Sequence, residues 1–206
     1  LVINPWNLDQ LQQVEEETGG EINTIMQLRL HPEVVALKEE LDEKRHKVEL
    51  TYIAGRGPWY QQSWKGSPER SGGLLVNIGI HFFDMLIWIF GPVQNNIVHL
   101  LEPDKAAGFL ELENARVRWF LSVDAQTLPQ EIAQTGQRTY RSITINGDEL
   151  EFSGGFTDLH TASYQHILSG QGFCASEARP SIETVFTIRN AHPVGLKGDF
   201  HPFLSP

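Results

Sequence analysis

The sequence has 206 residues, 40% apolar and 20% charged, with 5 Trp, 4 Tyr and 11 Phe, and its 16 Lys and Arg against 26 Asp and Glu leave a net charge of −10. That is one large domain, or a domain plus part of another, and it excludes global disorder, collagen-like repetition and low complexity. The acidic balance argues against nucleic acid or an anionic membrane as the main partner, while leaving room for a small anionic ligand held by local cations.

The chain begins at Leu1 rather than Met and carries no signal-peptide pattern, which predicts a piece of a longer polypeptide. Leu8, Leu11 and Val14 recur at helical spacing over Asn7 to Thr18, and Gly19-Gly20 follows as a stop. Ile22 to Leu30 reads as a buried strand ending at His31-Pro32, so a helix and a strand together resemble the end of an α/β unit. Pro32 then opens a second helix with Val34, Val35, Leu37 and Leu41 on its apolar face, and Glu39 to Lys47 is a solvated run. Val48 to Ala54 alternates as a strand. Gly55 to Gly73 is a long loop, which its aromatics Trp59, Tyr60 and Trp64 predict to be ordered.

A helix is predicted over Asn77 to Phe90, ended by Gly91-Pro92. Strands follow at Ile97 to Leu101, Gly108 to Glu113, Arg116 to Asp124, Ser142 to Ile145 and Glu149 to Phe152, with Asn146-Gly147 as a tight hairpin turn. Val117, Trp119, Leu121 and Val123 make one face apolar, but Phe120 and nearby Phe109 lie on the other. A sheet apolar on both faces needs two covers, and the helices suffice for one. Helices at Asp158 to Leu168 and Ser181 to Asn190 and a tail with few apolar residues complete the chain.

The most apolar run, Ile78 to Val93, is interrupted by His81 and Asp84 and falls short of the ~20 residues a membrane span requires. The single Cys174 forms no internal disulfide and fits neither zinc spacing nor a redox pair, so the expected compartment is the cytoplasm.

Chemistry concentrates on the apolar helix. At ~100° per residue, with Asn77 at zero, His81 falls near about 40°, Asp84 near about 340° and Trp88 near about 20°. A buried helix with one polar stripe needs partners for it. His81 is open to three readings: a structural imidazole capping a carbonyl, a metal ligand lacking companions at zinc spacing, or a general acid or base. The preceding loop brings Arg56, Lys65 and Arg70 against the single acid Glu69, beside Trp59, Tyr60 and Trp64, a set suited to an anionic sugar or nucleotide. Gly55-Arg56-Gly57 and Gly170-Gln171-Gly172 begin like a dinucleotide fingerprint but do not complete it, so no cofactor-binding residue is assigned.

The stretch Ser71-Gly72-Gly73-Leu74-Leu75-Val76-Asn77-Ile78-Gly79-Ile80-His81-Phe82-Phe83-Asp84 resembles the active-site helix of the glucose-fructose oxidoreductase / inositol dehydrogenase / MocA family, with its Gly-Gly followed by Asp-x-Gly-x-His-x-x-Asp. Asn4-Pro5-Trp6-Asn7, Gln27-Leu28-Arg29-Leu30-His31-Pro32, Tyr60-Gln61-Gln62-Ser63-Trp64-Lys65-Gly66 and Pro193-Val194-Gly195-Leu196-Lys197-Gly198-Asp199 are similar to its sugar-nucleotide subgroup, the bacterial UDP-N-acetyl-2-amino-2-deoxyglucuronate 3-dehydrogenases of lipopolysaccharide sugar synthesis.

The resemblance implies an α+β fold: an open, mainly antiparallel sheet with helices on one face, the C-terminal domain of a two-domain Rossmann-type dehydrogenase. Residues 1–30 would be the last helix and strand of the NAD-binding domain, and 31–206 the substrate and oligomerisation domain. NAD and a catalytic Lys would belong to the part that precedes this chain, so the chain alone is expected to be inactive. His81 matches the catalytic histidine. Asn77 stands where the family usually has Asp and could hold a sugar hydroxyl, and Gln27, Arg56, Tyr60 and Lys65 match substrate-contact positions. The implied partners are a UDP-sugar uronate and further copies of the chain joined through sheet faces, with neither nucleic acid nor membrane and no metal. The competing reading is a non-catalytic module that keeps the sheet for assembly.

Overall fold

The computed structural model describes residues 2–42, 44–151 and 158–205. Helix α1 spans Pro5–Thr18, with Pro5 in its first turn and Gly19 in the left-handed region (φ +69°) donating its N–H to the Glu15 carbonyl. The expected strand Ile22 to Leu30 is replaced by a two-residue strand β1, Asn23–Thr24, and a 3₁₀ turn, Gln27–Leu30. A strand persists only where a neighbour accepts its hydrogen bonds, and among the described residues β1 pairs only with Phe173–Cys174. Tightening into the 3₁₀ turn instead carries Arg29 into the interior, 8% exposed.

Helix α2 is Pro32–Glu40 and strand β2 is His46–Ala54. The long loop is ordered as three short turns: helix α3 (Pro58–Gln62), a 3₁₀ turn (Trp64–Gly66) and helix α4 (Pro68–Ser71). The chain then re-enters helix at Gly73, passes through a π-helical turn at Leu75–Gly79 and continues as α5, Ile80–Phe90. By length and composition the stretch Pro68–Phe90 could cross a membrane, contrary to the shorter run read from sequence, but 61% of its most apolar window is buried inside the protein.

Strands β3 (Val93–Leu101), β4 (Lys105–Leu112), β5 (Ala115–Ser122), β6 (Thr139–Ile145) and β7 (Asp148–Glu151) join β2 in one sheet of order β3-β4-β5-β2-β6-β7. A short helix, α6 (Gln130–Gln134), lies between β5 and β6. Every neighbouring pair is antiparallel except β2 and β5. Asn146 (φ +55°) and Gly147 (φ +102°) both take positive φ, as the tight turn between β6 and β7 requires. Of the strand expected at Glu149 to Phe152, Phe152 lies outside the described residues. Helix α7 (Leu159–Leu168), strand β8 (Phe173–Cys174) and helix α8 (Arg179–Arg189) follow.

On the inner face Leu50, Leu110, Val117, Trp119 and Ile143 pack against Phe82, Phe83, Met85, Leu86 and Phe90 of α5. Trp119 is fully buried, meeting Phe83 edge to face at 5.2 Å. Gly108 makes room for it: a Cβ there would lie 2.6 Å from the indole and 2.5 Å from the Ile97 carbonyl oxygen. A second cluster, Leu8, Met26, Ala175, Ala178 and Ile182, joins the first thirty residues to α8.

The outer face corrects the reading of the tail. Ile53, Ala107 and Phe120 pack there with Leu204. His201, 1% exposed, stacks on Phe120 at 5.7 Å, and its Nδ1 accepts the Phe203 N–H at 3.1 Å. The ring proton therefore sits on Nε2, which lies 3.1 Å from Thr51 Oγ1. Burial first, then the Arg118 charge, push the His201 pKa down to about 3, so the ring is neutral and stays in place. Phe109, 4% exposed, lies 5.3 Å from the Arg116 guanidinium. Phe120 and Phe109 are thus covered from within the chain, and neither calls for a second subunit.

Candidate active site

The polar stripe on the central helix divides among separate partners. Asp84 accepts from Arg29 Nε at 2.9 Å and Nη2 at 2.8 Å, and Arg29 Nη1 donates to Glu177 at 3.0 Å. Trp88 turns outward beneath the Lys38 ammonium, 4.3 Å from the ring centroid. Asp84 and Trp88 therefore have structural partners and Trp88 points elsewhere, while Asp84 still borders the cavity that His81 lines.

His81 differs from them. Its imidazole makes no hydrogen bond to any described residue, against the carbonyl-capping reading. It lines a cavity of about 50 Å³ with Thr24, Met26, Leu28, Asp84 and Ser181. Burial above all, with the charge of His160 adding, pushes its pKa down to about 4. At neutral pH it is an uncharged imidazole with an acceptor lone pair, the state a general base requires. His160, exposed on α7, is the neighbour that sequence reading missed, because nothing in its spacing ties it to His81. Among the described residues no three His, Cys, Asp or Glu side chains are placed to hold a metal ion.

Asn77 sits at the centre of the π-helical turn, a geometry that recurs at functional sites. Its Nδ2 donates to the Lys65 carbonyl at 3.0 Å, the Gly73 carbonyl at 2.8 Å and Ser71 Oγ at 2.8 Å. Its amide hydrogens are thus already engaged. Tyr60 is 4% exposed and its hydroxyl has no hydrogen-bond partner of normal geometry among the described residues. Burial raises the Tyr60 pKa, while the Arg56 charge and the nearby Asn77 side chain oppose the rise.

Arg56 and Lys65 are exposed, Lys65 with its ammonium 5.9 Å from the Trp64 ring. Arg56, Tyr60, Lys65 and Asn77 thus form one neighbourhood, flanked by the indoles of Trp59 (54% exposed) and Trp64 (57%). Gln27 lies apart from it, on the 3₁₀ turn whose Leu28 lines the His81 cavity. Its Oε1 is buried without a donor among the described residues, an acceptor that a ligand could satisfy.

Neither glycine pair makes a phosphate cradle. Gly57 precedes a helix of five residues, and Gly170 (φ +75°) follows the end of α7 rather than opening a helix after a strand.

Residues 44–149, which run from the start of β2 into β7, match the model of an oxidoreductase family's C-terminal alpha/beta domain, that of glucose-fructose oxidoreductase, inositol dehydrogenase and MocA. The chain belongs to this family. The fold agrees with the expectation: an open, mainly antiparallel sheet carrying helices on its inner face.

A crystal structure of the WlbA (WbpB) dehydrogenase from Thermus thermophilus in complex with NAD and α-ketoglutarate matches at 47% identity and TM-score 0.94, over 98% of this chain and 67% of that one. The same dehydrogenase in complex with NAD and UDP-GlcNAcA matches at 46% identity and TM-score 0.94, over 98% and 66%. The chain thus spans about two thirds of that dehydrogenase's length. The WlbA dehydrogenase from Bordetella pertussis, in complex with NADH and UDP-GlcNAcA, is 18% identical with TM-score 0.71 over 96% and 70%, a likeness of fold.

Proposed function

We propose that this chain is the substrate-binding and oligomerisation part of an NAD-dependent dehydrogenase that oxidises the 3-hydroxyl of UDP-N-acetylglucosaminuronate in the bacterial cytoplasm, for lipopolysaccharide sugar synthesis. The observation that carries the reading is His81. It is a neutral imidazole without a hydrogen-bond partner among the described residues, about two turns beyond a loop of cations and indoles, in a chain 46% identical to a dehydrogenase crystallised with NAD and UDP-GlcNAcA.

NAD, held by the preceding domain of which residues 1–30 are the end, would supply the acceptor for the hydride leaving the sugar carbon. This chain would take the proton. The sugar hydroxyl donates to the His81 imidazole, and its proton passes to that ring as the carbonyl forms, a transfer a neutral ring accepts and a protonated one does not. Arg56 and Lys65 would face the substrate's anionic groups, with the Tyr60 hydroxyl and Gln27 Oε1 as the buried polar atoms that a bound sugar nucleotide satisfies.

The test is spectrophotometric. A polypeptide carrying this chain together with its NAD-binding domain should reduce NAD when given UDP-N-acetylglucosaminuronate, whereas the chain alone should show no NAD binding by calorimetry. Micromolar NAD affinity in the isolated chain, or no turnover by the intact protein, would count against the reading.

Assembly through the outer sheet face forms part of the proposal. Its support is the tail, which leaves Val194, Leu196 and Phe203 exposed (43%, 52% and 38%) after covering Phe120. Light scattering should give a dimer or larger; a monomer at high micromolar concentration would sink it.

A further inference from the structure

We infer that Asn77 is a positioning residue, an amide latch that fixes the cationic segment Lys65 to Gly73 against the start of the His81 helix, and that a carboxylate cannot do this work. The inference rests on the dehydrogenase reading for its kinetic consequence, but its structural part stands without it.

All three acceptors of the Asn77 amide lie in the segment immediately before it. Two are backbone carbonyls, which have no hydrogen to give, and the carbonyl of Lys65 is twelve residues back. The amide group therefore points its NH2 side at the loop, an orientation fixed by chemistry because the reverse would set oxygen against oxygen. Ser71 completes the knot. Its Oγ, buried with the residue at 4% exposed, accepts from Asn77 and from the Gly73 N–H at 3.1 Å, and lies 2.8 Å from the Lys65 carbonyl and 3.0 Å from the Ser67 carbonyl as the acceptors for its own hydrogen. Gly72 (φ +77°) turns the chain sharply enough for the loop to close on the helix, and a Cβ there would lie 2.2 Å from Val76.

The consequence is positional. Lys65, Trp64 and Arg70 are exposed side chains on a short irregular segment, which left to itself would move as loops do. Tying the Lys65 backbone to a residue one turn before His81 gives these groups a fixed place relative to the base. A carboxylate at position 77 would face two carbonyl oxygens and a hydroxyl already donating elsewhere, so it would repel the strand of loop that the amide holds. That accounts for Asn at a position where the family's usual residue is Asp. With its Nδ2 hydrogens taken, Asn77 would meet a sugar hydroxyl through Oδ1, as an acceptor.

The experiment compares Asn77→Asp and Ser71→Ala with the parent, in the intact protein with its NAD-binding domain. Limited trypsin digestion reads the loop directly, because Lys65 and Arg70 lie inside the latched segment and Arg56 lies outside it as an internal reference. Cleavage after Lys65 and Arg70, relative to Arg56, should rise about tenfold in Asn77→Asp and in the same direction in Ser71→Ala, as expected when one buried polar set loses its partners. The global unfolding midpoint should stay near that of the parent. KM for the sugar nucleotide should rise more than kcat falls. A protected loop in Asn77→Asp overturns the inference: with normal kinetics Asn77 has no positioning role, and with a fallen kcat at unchanged KM it touches the reacting sugar instead. Should Asn77→Asp fail to fold, Ser71→Ala decides on the same digestion readout. A protein that shows the proteolytic change without any dehydrogenase activity would keep the latch and reject the activity.

Discussion

The His81→Asn variant of the intact dehydrogenase is expected to turn over about 10²–10⁴-fold more slowly than the parent while still binding the sugar nucleotide, the usual loss when a general base is removed. Asn keeps part of the ring's size and a hydrogen-bonding group but has no basic lone pair. Because the imidazole makes no hydrogen bond to a described residue, the change breaks no bond of the fold. Stability measured by denaturant should therefore move little, and titration of the sugar nucleotide should give an affinity close to the parent's. Normal turnover in the variant would make His81 structural; an unfolded or weakly binding variant would return it to the core.

The same group sets a pH expectation. With its pKa pushed down to about 4, His81 is neutral across the range from about 5 to 8, so the acid limb it contributes to kcat/KM lies far below neutrality. The sign for stability follows. A folded pKa below the ordinary 6.5 means that folding favours the neutral ring, so the unfolded chain binds more protons between 6.5 and about 4. Stability from this source is intact above 6.5 and is lost as pH falls through that window. His81→Asn removes this dependence, which acid-titration of the unfolding midpoint measures.

What the sequence made legible was whatever depends on neighbours along the chain. The alternation of Val117, Trp119 and Leu121 marked the inner face of the sheet, and Asn146-Gly147 marked a turn at the position where two residues with positive φ stand. Where a feature depended on a distant partner, the local pattern misled. Ile22 to Leu30 has the composition of a strand, but only Phe173–Cys174 pairs with any of it among the described residues. By composition the tail has little to bury because His201 counts as polar, yet stacked on Phe120 and bonded through both ring nitrogens it packs as a core group. The polar stripe holds its spacing only from His81 to Trp88, since Asn77 lies in the π-helical turn where ~100° per residue does not apply, and periodicity carries no information on Arg29, which is 55 positions from Asp84 and claims it.

That pair carries the largest expected effect on stability. Asp84 is 5% exposed and Arg29 8%, and the two meet through two parallel hydrogen bonds of 2.8 and 2.9 Å, with Glu177 on the remaining guanidinium nitrogen at 3.0 Å. Burial pushes the Asp84 carboxyl up, and the guanidinium opposes the shift. Arg29→Met removes the cation and leaves a buried carboxylate with no counter-charge, a change that typically costs about 3–5 kcal/mol. Asp84→Asn should cost less, because Arg29 keeps Glu177. The double variant Arg29→Met with Asp84→Leu should recover a large part of the loss, since two apolar side chains leave no charge uncompensated. The pH dependence separates charge from packing. In Arg29→Met the folded-state pKa of Asp84 lies above its unfolded value, so the destabilisation is full above that folded pKa and shrinks as pH falls through it and the carboxyl is neutralised. Urea unfolding of the three variants between pH 4 and 8 measures all of this. An Arg29→Met loss below about 1 kcal/mol, or one that does not shrink in acid, would show that the pair matters for its shape rather than its charge, since packing alone has no proton to bind.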